Sequence, residues 1–134
     1  MNLRSIATPR VCVDVDRLHT NIARMAALAA SAGVRLRPHA KTHKSPTIAK
    51  WQVEAGAVGI CCAKLGEAEV FADAGIADVR LPYPINPANA DRVLALVDRT
   101  HLSIIVDDLG VARGWSEAMV RGGRRLDVLV KVDV

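Results

Sequence analysis

Two textures alternate along the chain, and their alternation limits the possible folds more than any other feature. Short β-rich runs are "RVCVDV" (10–15), "VRLRPHAK" (34–41), "AVGICCAK" (57–64), "DVRLPY" (78–83), "HLSIIVDD" (101–108) and "LDVLVKVDV" (126–134). Between them lie Ala- and Leu-rich stretches of helical character. "DRLHTNIARMAALAASAG" sets Leu18, Ile22, Met25 and Ala29 at helical spacing and stops at Gly33. "SPTIAKWQVEAG" has Ser45 as N-cap, Pro46 at the first helical position and Gly56 as its stop. "GEAEVFADAG", "NPANADRVLALVDR" and "LGVARGWSEAMVRGG" follow the same plan, the last closing on paired glycines. Strand and helix recurring every ~20–25 residues is the pattern of parallel βα units.

Such units close into a barrel or spread into an open doubly wound sheet. The open dinucleotide-binding sheet puts a Gly-rich turn after its first strand. "VCVDVDRLHT" and "RPHAKTHKSP" contain no glycine, so the pattern favours an α/β fold of the parallel (β/α) TIM type. A complete barrel takes ~250 residues, and this chain of 134 ends on the strand-like "LVKVDV". The expectation is therefore the first half of a longer barrel, with roughly five units in view.

Composition excludes several other classes. Hydrophobic residues make up 51% of the chain, ample for a buried core. The net charge of +4 is spread along the sequence, and aromatics are only 3%, so no basic-aromatic surface for nucleic acid is expected. No apolar run reaches membrane-spanning length. "MNLRSIATPR" lacks the apolar centre of a signal peptide, which makes the cytoplasm the expected location. Cys12 stands alone and Cys61–Cys62 are adjacent, a pair that bridges poorly on a strand; all three read as small buried hydrophobes of a reducing compartment.

One stretch asks for chemistry. "LRPHAKTHKSP" crowds Arg37, His39, Lys41, His43 and Lys44 together. By strand parity, Val34, Leu36, Pro38 and Ala40 share one face, and Arg35, Arg37, His39 and Lys41 share the other. The apolar face should meet the helices, leaving the cations inside a barrel with Lys41 at the carboxyl end of the strand. Catalytic groups of barrels sit at that end. Pro38 is unusual in a central strand and marks a place where pairing loosens. Buried charge needs compensation, and Asp133, on the polar face of the last strand, is the expected partner. A desolvated lysine among cations is biased toward its neutral amine, which attacks aldehydes. The expected product is a Schiff base with pyridoxal phosphate, a sugar or a keto acid; the cations also suit a phosphate.

Other conspicuous residues have structural explanations. His19 on a helix and His101 at a strand start read as solvent-exposed. Glu67 and Glu69 fall in a first helical turn, where the helix dipole favours them. Trp51 and Trp115 read as packing residues.

The run from "LRPHAKTHKSPTIAKW" through "GICCAKLGEAEVFADAGIADV", with "TPRVCVDVDRLHTNIARM" before it and "LDVLVKVDV" after, closely resembles the D-threonine aldolase and D-serine dehydratase-like family. That family belongs to the pyridoxal-phosphate enzymes with the alanine-racemase barrel. The resemblance implies that Lys41, by its place in R-P-H-x-K-T-H-K, is the catalytic residue and binds pyridoxal phosphate as a Schiff base, with His39 and Arg37 as further cofactor-binding residues. It implies that residues 1–15 form a strand packing with a C-terminal β domain, and that 16–134 is the first part of the barrel. It also implies a homodimer, a small D-amino acid substrate, and a divalent metal held by residues beyond this chain. The implied activity is that of a lyase on D-β-hydroxy amino acids. Alternatives are an amino-acid racemase on the same fold, a non-catalytic cofactor-binding protein or an inactive fragment.

Overall fold

The computed structural model describes residues 5–132. The helices begin and end where the sequence provides caps. In α1 (Val15–Ser31) the Asp14 carboxylate accepts from the Arg17 amide at 3.0 Å. Ser45 does the same for α2 (Pro46–Glu54), and Asp108 for α5 (Leu109–Gly122), each side chain satisfying an amide that the first turn leaves unpaired. Gly123 ends α5 at a φ of 62°, a left-handed conformation that costs glycine no Cβ clash. Between these lie α3 (Leu65–Asp73) and α4 (Ala90–Val97).

Four strands, β1 (Ile60–Cys61), β2 (Asp78–Pro84), β3 (His101–Val106) and β4 (Asp127–Val130), form one parallel sheet in the order β1-β2-β3-β4. Strand order follows chain order, so the sheet contains none of the reversal that defines an open doubly wound fold. Ile60, Cys62, Val79, Leu81, Leu102, Ile104 and Val106 project from one face into the core, where Ala68 and Phe71 of α3, Val93 and Leu96 of α4, and Trp115, Ala118 and Met119 of α5 meet them. The other face carries Arg80 and Ser103, whose side chains hydrogen-bond at 3.0 Å. One face packed under a single helix layer, the other turned to the concave side with Ile105 beside Ser103, is how a wall of a (β/α) barrel is built.

Two of the expected strands lack regular ladder pairing among the described residues. Residues 10–14 lead into the Asp14 cap with no ladder pairing, and Val11 and Val13 are exposed. A β-rich run becomes a strand only beside a partner, and among the described residues it has none. In 34–41 the parity is as expected but the strand is not regular. The Val58 amide donates to the Leu36 carbonyl and the Cys61 amide to the Pro38 carbonyl, at 3.0 and 2.7 Å, and His39 forms an isolated parallel bridge with Cys61. The segment thus flanks β1, but Pro38 has no amide to give, and Ala40–Thr42 tighten into a 3₁₀ turn. Leu36 and Pro38 face Leu18, Ile22 and Met25 of α1, as the apolar half of the pattern requires.

Trp115 is the largest fully buried side chain, and its indole Nε1 donates to the Ile85 carbonyl at 2.9 Å. Trp115→Ala removes both the ring and that bond. It should cost about 3–5 kcal/mol, measured by denaturant unfolding of the full-length protein.

Candidate active site

Carboxyl ends of parallel strands form the mouth of such a sheet, and three side chains converge there. His39 lies at its bridge to Cys61, Lys41 lies in the 3₁₀ turn that follows, and Tyr83 lies near the end of β2. His39 Nδ1 accepts from the Lys41 backbone amide at 3.2 Å. Lys41 Nζ donates to the Tyr83 hydroxyl at 3.1 Å and stands 5.8 Å from the centre of its ring. The His39 and Tyr83 rings are tilted neighbours at 6.3 Å.

The amide bond to Nδ1 leaves the proton of a neutral His39 on Nε2. Nε2 is buried and has no hydrogen-bond partner among the described residues. Burial first, and the nearby Lys41 charge second, hold the His39 pKa below its ordinary value, so the ring is neutral at pH 7.

The cations that crowd the sequence are separated in space. Arg37 forms a two-pronged ion pair with Asp78 at the amino end of β2, Nη2 lying 3.0 Å from Oδ2 and Nη1 bonding Oδ1. Lys44 pairs with Glu67 at 3.2 Å. Burial pushes the Glu67 carboxyl upward, but the Ala63 amide and Lys44 outweigh it, leaving its pKa below the usual carboxylate range. Lys41 is exposed at the mouth, so its surroundings are not the desolvated ones expected. Among the described residues it forms no ion pair.

Gly59 makes the Arg37–Asp78 pair possible. A Cβ there would lie 2.7 Å from Arg37 Nη1 and 2.8 Å from Asp78 Cβ, and would strike the Asp78 carbonyl oxygen as well. Asp133, the partner expected for the cations, lies outside the described residues. Asp78 and Glu67 do that work instead.

His101 also departs from expectation. It is not merely solvated: Nδ1 lies 3.2 Å from Asp78 Oδ2, and Nε2 lies 2.8 Å from Asp127 Oδ2. The Arg37–Asp78–His101–Asp127 chain crosses the polar face at the amino ends of the strands. His19 is exposed as expected, its ring tilted against that of Trp51 with centroids 4.5 Å apart. Burial pushes the Cys62 thiol up to about 12 and raises that of Cys61, as expected of small buried hydrophobes, whereas Cys12 is exposed and departs from that expectation. No group of three His, Cys, Asp or Glu among the described residues could hold a metal ion.

Of the expected site residues, His39 and Lys41 come together at the mouth, while the Arg37 guanidinium is held toward the opposite end. Tyr83 was missed. Its signal was the "LPYPI" bracket of prolines at a strand end, a place where pairing must loosen.

A single helix layer over a parallel sheet whose strand order follows chain order defines a barrel-type scaffold. The chain belongs to the family described as "Alanine racemase, N-terminal domain", whose profile matches residues 13–134. It is 40% identical over 133 residues to a D-threonine aldolase of Arthrobacter sp, covering 98% of this chain and 35% of that protein. A D-threo-3-hydroxyaspartate dehydratase of Delftia sp. (strain HT23) is 37% identical over 132 residues, with 98% and 35% covered. The crystal structure of D-threonine aldolase from Filomicrobium marinum superposes with a TM-score of 0.94 at 42% identity, covering 98% of this chain and 36% of that one. The fold is therefore of the alanine-racemase barrel type, and the chain spans little more than a third of these relatives' length. No helix among the described residues is long and apolar enough to cross a membrane.

The His101 contacts carry a pH dependence. Asp127 first and Asp78 second hold its pKa above the ordinary 6.5. A group raised in this way contributes stability that is fully present below its unfolded value and lost as pH rises through its folded value. Melting of the native protein should therefore weaken as pH rises through and above the ordinary histidine value of 6.5, and His101→Gln should flatten that part of the profile. Equal slopes for both proteins would remove His101 as the cause.

Proposed function

We propose that the protein is a pyridoxal-phosphate-dependent lyase of D-β-hydroxy amino acids, with Lys41 as the cofactor lysine. One observation carries the reading. Arg37 and Lys44 are ion-paired, whereas the Lys41 amine stands at the mouth with a neutral hydroxyl as its partner. An amine bound to no carboxylate has little to give up when it engages an aldehyde. The names of the relatives, D-threonine aldolase and D-threo-3-hydroxyaspartate dehydratase, supply the reaction class.

The residues present fit such a cofactor. Lys41 Nζ would hold it covalently, and the buried, unpartnered Nε2–H of His39 offers a hydrogen bond to an acceptor atom beside it. Arg37 supports this arrangement from below, its guanidinium committed to Asp78. When bound, pyridoxal phosphate supplies an electron sink that stabilises negative charge at the substrate Cα.

Lys41 Nζ is the basic atom of the motif placed to accept or return a proton at Cα. The neutral His39 ring keeps a second positive charge away from the amine. Racemisation takes bases on opposite sides of the substrate. The lyase reading rests on the names of the relatives, D-threonine aldolase and D-threo-3-hydroxyaspartate dehydratase.

A divalent metal and a homodimer belong to the same proposal, and we assign neither to any described residue. The metal is supported by the solved relative described as a C353A dehydratase "in the metal-free form". Cytoplasmic residence is supported by the three free thiols.

Borohydride treatment of the full-length protein with pyridoxal phosphate should leave the label on Lys41, located by peptide mass spectrometry. Label on Lys44 or Lys64 with Lys41 unmodified would reject the assignment. The protein should release glycine from D-threonine or pyruvate from D-serine, and a chelator should suppress the reaction. Interconversion of alanine enantiomers, indifferent to chelation, would make it a racemase.

A further inference from the structure

We propose that Tyr83 is the positioning residue of Lys41, holding its amine at the mouth before the cofactor arrives. The inference rests on the reading of Lys41 as the cofactor lysine.

The backbone explains why Tyr83 is where it is. Leu81 of β2 pairs with Ile104 of β3, but the next pair is Pro84 with Ile105. Pro82 and Tyr83 are thus extra residues, looped out of register against one step of the neighbouring strand. Prolines on both sides of Tyr83 lack the amides that would continue a ladder, so the irregularity is written into "LPYP". Bulges of this kind re-aim a side chain out of the sheet's alternation. Tyr83 stands 43% exposed here.

Three contacts join Tyr83 to Lys41 and His39. The hydroxyl accepts from Lys41 Nζ, the ring lies within cation–π range of the same atom, and the ring is tilted beside His39. A lysine stem has four rotatable bonds, and free motion of its amine works against a defined approach to an electrophile. Side-chain entropy of this size corresponds to roughly a tenfold effect when the geometry is held in advance. The backbone end of the same residue is held as well, since the Lys41 amide donates to His39 Nδ1. Lys41 is therefore fixed at both ends, at its amide by His39 and at its amine by Tyr83.

The test uses the full-length protein freed of cofactor and follows site-resolved capture of pyridoxal phosphate, trapped with borohydride at successive times. Tyr83→Phe should slow labelling at Lys41 by roughly tenfold. Labelling at Lys44 and Lys64 and the melting temperature should not change. Tyr83→Leu, which also removes the ring face, should slow Lys41 further. Capture at Lys41 as fast in Tyr83→Phe as in the native protein overturns the inference while leaving the proposed function standing. Equal slowing at all three lysines, or a lowered melting temperature, assigns Tyr83 a structural role and likewise overturns it. No capture at Lys41 in the native protein overturns the proposed function, and this inference with it.

Discussion

The ion pair between Arg37 and Asp78 ties together the parts of the molecule that the site depends on. Arg37 lies on an irregular segment that Pro38 prevents from pairing as a full strand, and few backbone bonds hold it to β1. Asp78 lies on β2, one strand further along the sheet. The two-pronged contact therefore reaches across β1 and pins the segment over it, and Gly59 keeps the crossing clear of a side chain. Charge-assisted, two-pronged contacts fix geometry as well as contribute energy. His39 and Lys41, two and four residues further along, reach the mouth in a defined orientation because of this anchor.

Charge is sorted along the polar face of the sheet. At the amino ends of the strands, Arg37, Asp78, His101 and Asp127 satisfy one another in a chain. Burial pushes Asp78 upward, yet Arg37 and His101 outweigh it and keep the carboxyl ionised. At the carboxyl ends the partners of Lys41 are an imidazole and a hydroxyl. Glu67 also lies past the carboxyl end of β1, but it is committed to Lys44 and the Ala63 amide, so the Lys41 amine is left without a carboxylate partner among the described residues. This division is the usual one in (β/α) barrels, where the amino-terminal face serves stability and the carboxyl-terminal face serves chemistry.

The same sorting accounts for the residues that were read differently from sequence. His101 at a strand start has the sequence context of an exposed histidine, and no local pattern announces that Asp78 and Asp127 flank it. They come from neighbouring strands, 23 and 26 positions away. Glu67 is well placed for its helix dipole, and that local explanation concealed its pairing with Lys44. Tyr83 looked like the end of a strand, and only the shifted register against β3 shows that it is turned toward Lys41.

Periodicity, caps and turn residues, read from the sequence alone, were enough to determine the helices, the parallel βα architecture and the face on which Arg37, His39 and Lys41 lie. These follow from interactions between residues close in the chain, where a cap or an alternation carries its own physical cause. Tertiary structure decided that 34–41 is only a loosely held strand, and which carboxylate meets which cation. It also decided that Lys41 alone of the three cations Arg37, Lys41 and Lys44 meets a neutral partner. Strand pairing and ion pairing join residues that are distant in sequence, and their partners are chosen by packing between elements rather than by any local pattern.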